Sequence, residues 1–111
     1  MAKRLVSKND IKKICHQIVD FFHPCRVIIF GSYATGKATV DSDVDFLVVT
    51  NSPPRNKVVT TTIRKLLPEE LRTTSMDVIA IGAAEYEETK DVVGGLPHSV
   101  SRYGEIIYEN S

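Results

Sequence analysis

The sequence predicts an α/β fold, a mixed sheet with flanking helices. Three observations carry the prediction. Short apolar runs rich in β-branched residues alternate with amphipathic segments along the chain. Proline and glycine fall at the boundaries between them. A length of 111 residues, 42% hydrophobic and 25% charged, suits one modest core and one domain over 1–111.

Ser7 has the character of a helix N-cap, with Asp10 three residues on and Val6 and Ile11 placed as a hydrophobic staple. Ile11, Ile14, Cys15, Ile18, Val19 and Phe22 then recur at helical spacing until Pro24 ends the helix. Arg26–Phe30 is a short apolar run bounded by Pro24 and Gly31, hence a buried strand. Residues 44–49 form a second such run. Residues 58–67 carry Val59, Ile63, Leu66 and Leu67, which predicts a helix, and Pro68-Glu69-Glu70 suits the first turn of a short extra one. Residues 76–81 are a third strand and 83–90 a short polar helix. Gly94, Gly95 and Pro97 read as a loop before a final strand at 106–108. The order is therefore α-β-(short α)-β-α-β-α-β.

Fourteen basic residues balance fourteen acidic ones. Stable binding to long nucleic acid normally needs a basic surface, so this neutrality argues against it. Cys15 and Cys25 match neither a redox pair nor a zinc framework and read as thiols in a reducing compartment. No apolar leader follows Met1, and no stretch approaches the roughly 18 apolar residues of a membrane span. The expectation is a cytoplasmic protein that does not engage the membrane.

The chemistry concentrates in two neighbouring stretches. A strand ends at Phe30 and gives way to Gly31-Ser32, where the missing side chain lets a bound group approach the backbone. A helical turn over 33–37 would aim free N–H groups and the Ser32 hydroxyl at a phosphate. Asp43 and Asp45 follow, two apart at the start of a strand, which places both carboxylates on one face. Two such groups repel and pay desolvation, so a cation belongs between them. Hard oxygen ligands select Mg²⁺, with Mn²⁺ as the alternative. Asp77, one residue into another apolar strand, is the third candidate, as metal ligand or proton acceptor. Seven specified positions in Gly-Ser-x-Ala-x-Gly, five residues, then Ser-Asp-x-Asp match by chance on the order of 10⁻⁸ per start. Tyr33 stays open between stacking on a base and covering the core, while Lys37, Arg26 and His16 read as surface positions.

On these residues the chain resembles the nucleotidyltransferase superfamily that includes DNA polymerase beta and kanamycin nucleotidyltransferase, and within it the minimal nucleotidyltransferases. The resemblance implies a nucleotidyltransferase fold with a polymerase-beta-like palm core. It implies phosphate contact at Gly31 and Ser32, catalytic and metal-binding roles for Asp43, Asp45 and Asp77, two Mg²⁺ ions, and ATP as substrate. It further implies transfer of AMP to a hydroxyl, that of a tyrosine on a small all-helical HEPN-type toxin, which would make the chain an antitoxin. The alternatives are a non-catalytic nucleotide-binding module that masks such a toxin, or a nucleotidyltransferase for small molecules or RNA. Many members carry arginine where this chain has Thr35, and larger relatives hold the acceptor in a helical domain beyond this length. A sheet edge or the polar helix around 85–88 would serve a homodimer.

Overall fold

The computed structural model describes residues 4–110, and its first helix starts at the cap the sequence offers. Ser7 is extended, and its hydroxyl accepts from the Asp10 N–H at 3.1 Å, satisfying a donor the first turn leaves free. Helix α1 (Lys8–Phe22) buries Ile14, Cys15 and Ile18, with Val6 and Ile11 packed on the same core. His23 ends it at φ 47°, its N–H returning to the Val19 carbonyl at 2.9 Å. Burial pushes the Cys15 thiol up to about 11, so it stays protonated and inert, and Cys25 is also free.

Four strands follow: β1 (Arg26–Phe30), β2 (Val44–Thr50), β3 (Met76–Gly82) and β4 (Glu105–Glu109), in the order β3-β2-β1-β4. β1 is antiparallel to both β2 and β4, whereas β2 and β3 are parallel. A parallel pair needs a crossover, here supplied by α3 (Thr60–Leu66) and a 3₁₀ turn at Glu69–Leu71. Between β1 and β2 stands a single helical turn, α2 (Ser32–Thr35). Helices α4 (Ala83–Thr89) and α5 (Leu96–Tyr103) connect β3 to β4.

Strand alternation divides the core into two layers. Val27, Ile29, Val44, Phe46, Val48, Val78 and Ala80 face α1 and α3, meeting Ile14, Ile18 and Ile63. Ile28, Leu47, Val49 and Ile81 face the other way, under Tyr86 of α4 and Val100 of α5. The end of α5 sits hard on β1: a Cβ on Gly104 would stand 2.8 Å from Ile28 Cγ2 and 2.5 Å from the Val100 carbonyl oxygen. The predicted mixed sheet with flanking helices is therefore the fold observed. No helix among the described residues is long and apolar enough to cross a membrane.

Two elements differ from the sequence reading. Helix α3 starts at Thr60 rather than 58, because residues 57–59 lie along the β3 edge instead. The Ala80 N–H donates to the Lys57 carbonyl at 2.7 Å and the Val59 N–H to the Val78 carbonyl at 2.9 Å. The stretch read as a loop around Gly94, Gly95 and Pro97 contains α5, with Gly95 as its N-cap and Pro97 in its first turn. Proline there forfeits only an N–H that has no intrahelical partner, so it begins this helix rather than breaking it.

Candidate functional site

Phe30 closes β1 opposite Asp45 of β2, and Asp45 stands opposite Asp77 of β3. Both aspartates alternate with residues of the α1/α3 core: Asp45 lies between Val44 and Phe46, Asp77 between Met76 and Val78. Their side chains therefore project from the opposite face, one strand spacing of about 4.8 Å apart. Asp43 falls one residue ahead of β2. The Val44 N–H donates to the Ser75 carbonyl at 3.0 Å, which carries the ladder past the strand ends and brings Asp43 beside Ser75. The Ser75 hydroxyl donates to Asp43 Oδ1.

Burial, then the charges of Asp77 and Asp43, push the Asp45 carboxyl up to about 6 from its ordinary 3.8. Asp43 and Asp77 thus both act electrostatically on Asp45. They form an open acidic row rather than a closed cage: among the described residues, no three His, Cys, Asp or Glu side chains stand close enough to hold one ion. The donor set, three carboxylates and a hydroxyl, still matches the hard-oxygen preference of Mg²⁺ or Mn²⁺.

The Asp45 shift has a stability consequence. The folded chain binds this proton more tightly than the unfolded chain does, so ionising Asp45 costs stability as pH rises from about 4 to about 6. With a chelator present, Asp45→Asn is expected to melt several degrees above the wild type at pH 7.5, the gap closing toward pH 4. Thermal melts of both proteins across that range check it, and a gap that does not change with pH contradicts it.

Gly31 is fixed by the same carboxylate. Its φ is +73°, a conformation side chains rarely adopt, and a Cβ there would stand 2.5 Å from Asp45 Oδ2. The turn and the neighbouring acid both demand this glycine. Helix α2 then starts at Ser32, one residue earlier than the 33–37 turn expected, and closes at Gly36, φ 77°. Gly31 occupies the N-cap position, so Ser32 is not the cap, and its hydroxyl has no hydrogen-bond partner among the described residues. Tyr33 covers the α1/α3 core, and its hydroxyl accepts from the Val6 N–H at 3.0 Å. Thr35 turns its hydroxyl back to the Gly31 carbonyl at 3.4 Å.

Every predicted site residue thus falls at one end of the sheet: Gly31 and Ser32 on the turn after β1, Asp43 and Asp45 at the entry to β2, Asp77 at the entry to β3. The sequence reading missed Ser75. The signal for it was its position two before Asp77, hence on the same face. Elsewhere, a cleft of about 400 Å³ lined by Cys25, Arg26, Val49, Ala83, Glu87 and Glu109 lies at the opposite end of the strands. Arg26 spans it, with Nε 2.7 Å from Glu109 Oε2. That cleft carries no carboxylate row beside a glycine turn, so it is not the candidate site.

Comparison with known proteins identifies the family and the fold. The family model of the nucleotidyltransferase domain matches residues 8–107. The chain belongs to the nucleotidyltransferase domain family. A crystal structure from Sulfolobus solfataricus, of a protein provisionally assigned as a nucleotidyltransferase, superposes with a TM-score of 0.55 at 22% identity. The match covers 92% of this chain and 79% of that one, which establishes a shared fold. No curated protein matches the sequence significantly. Membership makes the chain a transferase of nucleotidyl groups, in a family that generally uses nucleoside triphosphates and divalent cations.

Proposed function

We propose that the chain transfers AMP from ATP to a protein hydroxyl, with Mg²⁺ held by Asp43, Asp45 and Asp77. The observation that carries the reading is the Asp45–Asp77 register beside the Gly31 turn, with Asp43 next to it. Bound there, divalent cations would neutralise the triphosphate and polarise its α-phosphorus.

The residues divide the remaining work. Ser32, its hydroxyl uncommitted among the described residues, and the adjoining backbone contact phosphate oxygens. Asp45, its carboxylate lying where a side chain at position 31 would stand, faces the Gly31 turn and would hold a cation beside the triphosphate. Asp77 is exposed, so an acceptor can reach it. It takes the proton as the acceptor oxygen bonds to the α-phosphorus and pyrophosphate leaves. The acceptor class follows from the resemblance to minimal nucleotidyltransferases: a tyrosine on a small all-helical HEPN-type protein, inactivated by the modification. An antitoxin acting in the cytoplasm is the biological role this implies.

Incubating the chain with α-labelled ATP, Mg²⁺ and the co-expressed helical partner tests the reading. Label is expected on a partner tyrosine. Tight binding of the partner without label would instead establish the masking module, and label on RNA or a small molecule would establish the remaining alternative.

A further inference from the structure

The acidic end of the sheet is a grid of four positions. Asp45 stands opposite Asp77 in the parallel register, and two residues earlier on each segment Asp43 stands beside Ser75. Such a grid measures about 6.7 Å along the strands and about 4.8 Å across them. When ionised, the three carboxylates only accept hydrogen bonds. The Ser75 hydroxyl is the one donor at a corner of the grid.

Asp43 is the corner most in need of that donor. It is exposed and lies outside β2, in the connection from α2. That connection is braced locally: the Thr39 N–H donates to Ser42 Oγ at 2.9 Å and the Ser42 N–H to the Thr39 carbonyl at 3.0 Å. Neither bond reaches the Asp43 carboxylate. Ser75 does, through its hydroxyl, while its carbonyl accepts the N–H of the very next residue, Val44. One residue thus ties down both the backbone beside Asp43 and its side chain.

We propose that Ser75 is a positioning residue, whose hydroxyl fixes the Asp43 carboxylate so that Oδ2 is presented to a divalent cation. The inference rests on the reading of Asp43 as a metal ligand. An unanchored aspartate samples several rotamers, and binding must freeze one of them. The Ser75 hydrogen bond meets that cost during folding. Supporting hydrogen bonds of this kind are worth about 10- to 100-fold in metal affinity.

The test is Mn²⁺ binding to the full chain without nucleotide, followed by the paramagnetic resonance signal of free Mn²⁺, alongside melting in a chelator. Ser75→Ala is expected to weaken Mn²⁺ by about 10-fold or more while melting near the wild type, since Ser75 is exposed. Ser75→Thr restores the hydroxyl and is expected to restore the affinity. Unchanged affinity in Ser75→Ala, or equal weakening in Ser75→Thr, overturns the proposal while leaving the metal site standing. A large loss of melting temperature in Ser75→Ala makes the residue structural and overturns it as well. If wild type and Asp45→Asn bind Mn²⁺ alike, the metal-site reading fails and the positioning role falls with it.

Discussion

Replacing Asp43 and Asp45 together by asparagine is expected to abolish binding of ATP with Mg²⁺ while raising the melting temperature of the ligand-free chain. The two effects have one cause. Asp45 stands between Asp43 and Asp77, and their charges together with burial hold its carboxyl at about 6. Near neutral pH the ligand-free fold therefore carries a repulsion that asparagine removes. The same repulsion makes the site attractive to a divalent cation. Losing two charged ligands is expected to cost more than the 10- to 100-fold that a supporting hydrogen bond is worth, so calorimetry should find affinity lower by beyond about 100-fold. Ligand at 100 times its dissociation constant adds about 2.7 kcal/mol to the wild-type fold. That corresponds to a rise of roughly 10 °C or more in a chain of this size. The double variant should show no such rise. Equal ATP affinity in the two proteins would remove the metal role from both aspartates.

The parts of this site legible in the sequence are those fixed by local chemistry. Ser7 and Asp10 announce a capped helix because capping is settled within one turn. Gly31-Ser32 and Asp43-x-Asp45 announce a site because a strand seldom keeps carboxylates inside an apolar run. What the sequence withheld depends on partners far along the chain. The strand order β3-β2-β1-β4, and with it the pairing of Asp45 with Asp77, is decided by packing between segments some thirty residues apart. The bond from Ser75 to Asp43 hangs on that register and has no local signature. Nor does the second demand on Gly31, because the crowding comes from Asp45 on the neighbouring strand. Helix α5 is a different failure. Its cues were present, with Pro97 in the first turn and Leu96, Val100 and Tyr103 at helical spacing. Only Val100 among its eight residues is buried, however, so the apolar stripe was too thin to outweigh two adjacent glycines.

Asp77→Asn is expected to lower nucleotidyl transfer by about 10²–10⁴-fold, the usual worth of a positioned base, while leaving most of the ATP affinity intact. The separation follows from where the three acids lie. Asp43 and Asp45 belong to one segment, directly beyond the turn that begins at Gly31. Asp77 is reached only across the sheet, on β3, and is more open to solvent than Asp45. It can thus meet an incoming acceptor hydroxyl on the side away from the Gly31 turn. Removing a group used chiefly in the transition state depresses turnover without an equal loss of ground-state binding. Asparagine also takes one charge from beside Asp45, so the Asp45 carboxyl should fall back toward its ordinary value. The Asp77→Asn chain should therefore melt higher than the wild type in chelator at neutral pH, even as its transfer rate collapses. Single-turnover transfer from α-labelled ATP, read beside calorimetric ATP affinity and thermal melts, measures all three quantities. Transfer at the wild-type rate would reduce Asp77 to a structural aspartate. Loss of binding in step with loss of transfer would instead make it a ligand of the same standing as Asp43 and Asp45, with the proton leaving by another route.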